Sequence, residues 1–165
     1  MAIKPILTYP NSILFNISDD IMELDGSMVD LIDTYQSIKC LGLAMPQIGY
    51  NKRAFIINAK SLEIGDDYIL MINPVITYKS TDLYNHIEGC LSLPGIGFNY
   101  SRPKHITVEY LDIKFNKHTL NASDLASICI QHELDHLDGK LVINLVSPLQ
   151  RMEASNILSK RKRLT

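Results

Sequence analysis

Apolar residues in this chain recur with two different periods, and the alternation between them outlines a fold. Met28, Leu31, Ile32, Tyr35 and Ile38 fall at helical spacing, directly after Asp25-Gly26-Ser27, which can start a helix. The next stretch, residues 40–49, holds two glycines and a proline and predicts an irregular loop. Arg53-Ala54-Phe55-Ile56-Ile57-Asn58 reads as a strand. Residues 68–78 do too, although Asn73-Pro74 interrupts them and predicts an edge strand or a bulge. Residues 106–113 are rich in β-branched and aromatic side chains, and residues 115–120 are the candidate partner strand.

From residue 122 to 137 the period is helical again. Leu125, Ile128, Cys129, His132 and His136 share one face, Asn121 or Ser123 can cap the start, and Gly139 can end the helix. A last helix is predicted from Ser147-Pro148-Leu149-Gln150. It has a serine cap, a proline at the first helical position, and a glutamine able to close a capping box. This helix ends in Lys160-Arg161-Lys162-Arg163, where cations suit the negative end of the helix dipole. Strands in the middle and helices at both ends predict an α+β fold. Mixed or antiparallel sheets should pack around the central helix.

Composition narrows the class. A length of 165 residues predicts one domain, 1–165, large enough for its own core. The net charge of -2 gives no global cationic field, so DNA is not an expected partner. Residues 1–7 lack the apolar core of a signal peptide, and no apolar run approaches the ~20 residues that span a bilayer. Cys40, Cys90 and Cys129 are too sparse for a secreted disulfide framework, which points to a reducing cytoplasm.

The candidate chemistry lies in His132-Glu133-Leu134-Asp135-His136, an H-E-x-x-H on the predicted central helix. Residues four apart share a helix face, so both imidazoles can reach one divalent ion while Glu133 stands beside it. The bland alternative is a pair of half-buried histidines. A catalytic ion of the zinc type usually takes three protein ligands, so one is missing. Val142 stands where a metzincin has its third histidine. Glu153 would complete a thermolysin-like, Glu-ligated metallopeptidase, but a solvated charge on the terminal helix is the simpler reading. Cys129 lies seven residues before His136, roughly 10 Å along the axis, and reads better as a small core residue. That leaves Cys90, within a Gly- and Pro-punctuated stretch read as a loop, as the leading third ligand.

Three separated blocks resemble the peptide deformylase family, in its order. Cys40-Leu41-Gly42-Leu43-Ala44-Met45-Pro46-Gln47 resembles its G-x-G-[LIVM]-A-A-x-Q pattern, Glu88-Gly89-Cys90-Leu91-Ser92 its E-G-C-L-S, and residues 131–139 its Q-H-E-x-D-H-L-x-G. The resemblance implies that Cys90, His132 and His136 hold the metal. It implies that Gln47 and the Leu91 N–H face a developing oxyanion while Glu133 moves protons. It places Glu88, Gly89 and Arg102 at the substrate-binding surface, where an ordinary exposed arginine is the alternative for Arg102. Leu41, Gly42, Leu125, Ile128 and Cys129 are expected to line a pocket for the methionine side chain, or else to pack the core.

The reaction so implied removes the formyl group from N-formylmethionyl peptides and releases formate. Fe(II) is the family's usual ion, and Zn or Ni can occupy the same ligands. The basic C-terminus suggests a ribosome contact, with a solvated helix end as the alternative. A non-catalytic deformylase-like binding protein is the other competing reading, although a purely structural site needs neither Glu133 nor Gln47. Two departures stand out: Cys40 replaces the family's first glycine, which strains the loop if the backbone there needs a positive φ, and Met45 replaces its second alanine.

Overall fold

A computed structural model describes residues 2–164, with the side chains of Lys162 and Leu164 left out. The order is a 3-10 turn Ser12–Phe15, α1 Gly26–Ser37, β1 Gly42–Ala44, a 3-10 turn Met45–Ile48, β2 Ala54–Ile57, β3 Ile69–Lys79, β4 Leu83–Cys90 and β5 Leu93–Pro103. It continues with β6 His105–Leu111, β7 Lys117–Ser123, α2 Asp124–Leu137, α3 Val142–Leu145 and α4 Pro148–Leu164.

Strands β1-β2-β3-β6-β7 form an antiparallel sheet in that spatial order. All four residues of β2 are buried, because both faces of the sheet are covered there. Strand alternation sends Phe55 and Ile57 into the core shared with α2, and Ala54 and Ile56 into the core under α1. Full burial of side chains such as Phe55 and Ile57 contributes about 1.5–3 kcal/mol each. Helix α1 starts as predicted: the Asp25 carboxylate accepts from the Ser27 N–H, and Met28, Leu31 and Tyr35 face inward.

The Asn73-Pro74 interruption is a bulge and not an edge, since β3 pairs with β2 on one side and β6 on the other. The register shifts between Ile72 and Val75, which carries the ladder past the N–H that proline lacks. Asn73 takes φ 48° and its side chain exchanges two hydrogen bonds with the Ile21 backbone. The predicted loop at 40–49 contains β1 and a short 3-10 turn that ends at Gly49, φ 91°. Cys40 is not among the positive-φ residues, so no backbone strain arises there.

The stretch around Cys90 is a second correction. It forms an antiparallel hairpin, β4-β5, with a turn at Leu91-Ser92. Ser123 stands at the N-cap position of α2, as predicted, but neither it nor Asn121 caps the helix with its side chain, because both also belong to β7, Lys117–Ser123. The Ser123 hydroxyl bonds His105 Nδ1, and Asn121 Oδ1 accepts from Thr107. Gly139, φ 71°, follows the helix end as predicted. Helix α4 begins at Pro148, where the Ser147 hydroxyl accepts from the Gln150 N–H at 3.3 Å. Half of the capping box therefore forms. Among the described residues no helix is long and apolar enough to cross a membrane.

Candidate metal centre and cavity

Helix α2 lies against β4, and the two elements meet through their polar residues. His132 and His136 stand one turn apart, ring centroids 5.1 Å from each other. Cys90, the last residue of β4, brings its Sγ to 3.4 Å from His136 Nε2. One ligand atom from each of Cys90, His132 and His136 lies within 4.8 Å of the others, and among the described residues this is the only such group. Glu153 is exposed on α4 and takes no part.

Behind the cluster, Glu88 Oε1 meets His132 Nδ1 at 2.8 Å, which leaves Nε2 as the ring nitrogen free for an ion. Arg102 grips both oxygens of Glu88, at 2.7 and 3.0 Å, and reaches Asp135 at 2.7 Å. Burial alone would raise the Glu88 carboxyl, but hydrogen bonds with His132 and Arg102 outweigh it and hold it below its ordinary value. Burial would likewise lower His132, yet contacts with Cys90 and Glu88 hold it well above the ordinary histidine value. Burial and the nearby charge of His132 push His136 well below it. The set of one sulphur and two imidazoles fits a borderline-soft divalent ion. His136 Nδ1 and Glu133 Oε2 are both buried without a protein partner.

Arg102 corrects the sequence reading. It is 5% exposed, so it does not line a substrate surface; it fixes the residue that orients a ligand. Glu88 has the same positioning role, although its carboxylate also reaches the cavity wall. Sequence reasoning missed this network, including Asp135. The available signal was Glu88 two residues before Cys90, on the same strand face. Replacing Arg102 by leucine is expected to lower unfolding free energy by about 3–5 kcal/mol, because Glu88 stays buried without its cation. Urea denaturation checks this; a loss below about 1 kcal/mol would contradict it.

A cavity of about 610 Å³ opens in front of the cluster. Cys90, His132 and Glu133 share its wall with Leu41, Gly42, Gln47, Gly89, Leu91, Leu125, Ile128 and Cys129. Ile128 and Cys129 are also core residues, at 2% and 7% exposure, so they line the cavity and pack the core at once. Gln47 is fixed at both ends of its amide: Oε1 accepts from the Ala44 N–H at 2.9 Å, and Nε2 donates to Ser92 Oγ at 3.2 Å. Nε2 also lies 3.8 Å from Cys90 Sγ, so it already points at the cluster. Burial pushes the Glu133 carboxyl up to about 7, in the range where a group both takes and gives protons near neutral pH. Gly42 is required beside it, since a Cβ there would overlap the Glu133 side chain. Of the two departures, Cys40 is half-buried in the cavity wall, whereas Met45 is wholly buried in the α1 core.

The polypeptide deformylase family model matches residues 3–152. A peptide deformylase of Cellvibrio japonicus is 36% identical over 98% of this chain and 96% of its own length. The crystal structure of a peptide deformylase from Legionella pneumophila superposes with a TM-score of 0.89 at 35% identity, covering 99% of this chain and 97% of that one. That of the Ehrlichia chaffeensis peptide deformylase in complex with actinonin gives 0.88 at 32% identity, covering 99% of each.

Proposed function

The chain belongs to the peptide deformylase family, and from that premise we propose how its own residues carry the reaction. The enzyme is a metal-dependent hydrolase that removes the N-formyl group from formylmethionyl peptides and releases formate. The observation that carries the assignment of roles is the convergence of Cys90, His132 and His136 at the head of a cavity that also exposes Glu133 and Gln47. Residues 1–165 act as one catalytic domain.

Cys90, His132 and His136 hold one divalent ion, Fe(II) natively, with Zn or Ni able to replace it. When bound, the ion supplies Lewis acidity and can lower the pKa of water from 15.7 to about 7. Glu133 accepts a proton on its carboxylate and returns it to the departing amine, which would otherwise leave as an unstable anion. Gln47 Nε2 and the Leu91 N–H stabilise the oxygen that becomes anionic as the formyl carbon turns tetrahedral. Each such donor is worth about 3 kcal/mol. The fixed Gln47 amide supports this role, because a donor already in place costs no reorganisation in the transition state. Leu125, Ile128 and Cys129, with Leu41 and Gly42, receive the methionine side chain.

Anaerobic, iron-loaded protein is expected to release one formate from each formyl-Met-Ala-Ser. Folded, loaded protein that leaves the peptide unchanged would favour a non-catalytic binding protein instead. A ferrous site with thiolate ligation is also open to oxidation. In air the iron form is expected to lose activity faster than the nickel or zinc forms; equal half-lives would count against the iron–thiolate assignment. Function in the cytoplasm and a ribosome contact through the basic end of α4 complete the proposal. Arg161 of that end folds onto the Pro94 and Gly95 carbonyls, while Lys160 and Arg163 are exposed and the Lys162 side chain lies outside the described residues. Deleting residues 160–165 should abolish salt-sensitive co-sedimentation with ribosomes; unchanged sedimentation would refute the contact.

A further inference from the structure

The cavity wall holds one imidazole that the reaction does not use. On β4 the less exposed positions alternate as Tyr84, His86, Glu88 and Cys90, so these side chains share the face turned to α2. Cys90 meets His136 and Glu88 meets His132, which shows that strand and helix run in the same sense. One further step back is roughly 6.6 Å on the strand and about 6 Å on the helix. It sets His86 level with Ile128. Both residues line that cavity.

His86 lies parallel to Tyr84, with the rings 6.3 Å apart and 17° from coplanar. Its Nδ1 is buried without a hydrogen-bond partner. A neutral imidazole has one donor and one acceptor nitrogen. A buried N–H without an acceptor is rarer than a lone pair without a donor, so the proton belongs on Nε2. The cavity wall then carries an N–H donor on a residue that shares it with apolar side chains such as Ile87, Leu125 and Ile128.

We propose that His86 is a specificity residue, donating from Nε2 to the sulphur function of the substrate's first side chain. The inference rests on the deformylase reading, because it needs formylmethionine in this cavity. A thioether is a weak acceptor, a sulfoxide oxygen is a strong one, and the isosteric norleucine side chain offers none. His86 therefore favours methionine over norleucine and admits a substrate whose methionine has been oxidised.

The test compares kcat/KM for formyl-Met-Ala-Ser, formyl-norleucyl-Ala-Ser and formyl-methionine-sulfoxide-Ala-Ser in the metal-loaded enzyme, His86→Leu and His86→Gln. The native enzyme should prefer methionine over norleucine by about two- to tenfold, the size of one ordinary hydrogen bond. His86→Leu should erase that preference and lose activity selectively on the sulfoxide, whereas His86→Gln should keep part of both. Normal turnover with unchanged substrate ratios in His86→Leu would overturn the proposal while leaving the deformylase reading intact. Absence of turnover on all three peptides in the native enzyme would remove that reading and this inference with it.

Discussion

Replacing Glu133 by glutamine is expected to lower kcat for formate release by about 10²–10⁴-fold while the bound ion stays in place. The substitution preserves the side chain's shape, and the site is sensitive to shape. Glu133 is 4% exposed and packs so closely on Gly42 that a methyl group there would overlap it. What glutamine cannot do is take a proton and give it back. None of the three ligand atoms belongs to residue 133, so metal content should not change. Steady-state kinetics together with metal analysis checks both halves. A fall of less than about tenfold would mean that another group moves the proton.

Cys90→Ala is expected to lose the ion, and deformylation with it, while the protein stays folded. The thiol is one of three donors, and the remaining imidazole pair leaves a two-ligand site of the kind that catalytic centres do not use. Glu153→Gln is the matched control for the competing Glu-ligated peptidase. Its carboxylate is exposed on α4, so both metal and activity should be retained. Metal loss in the second variant and not the first would reverse the ligand assignment.

The parts of the site that were legible in the sequence are those that depend on local spacing. His132, Glu133 and His136 are fixed by a helix repeat, and α1 and α4 announce themselves through Asp25 and through Ser147-Pro148. The β4-β5 hairpin was not legible. Its less exposed positions are Tyr84, His86, Glu88 and Cys90, so the strand turns polar groups inward and shows no apolar alternation. Arg102 was misread for a related reason. A lone arginine is exposed by default, and the partners that bury it stand 14 and 33 residues away in the chain. Position 73 was half legible: proline excludes a regular central strand, but only the sheet order shows that a bulge solves the problem. Ser123 is legible as the N-cap position of α2, but not as a capping side chain, because its place in β7 turns the hydroxyl to His105.

X-ray absorption at the metal edge of the loaded, anaerobic enzyme probes the centre most directly. A first shell with one sulphur, at roughly 2.3 Å for zinc, and two imidazole nitrogens is the expected result. A shell of nitrogen and oxygen alone, with no sulphur, would contradict the role given to Cys90 and with it the chemistry built on that centre.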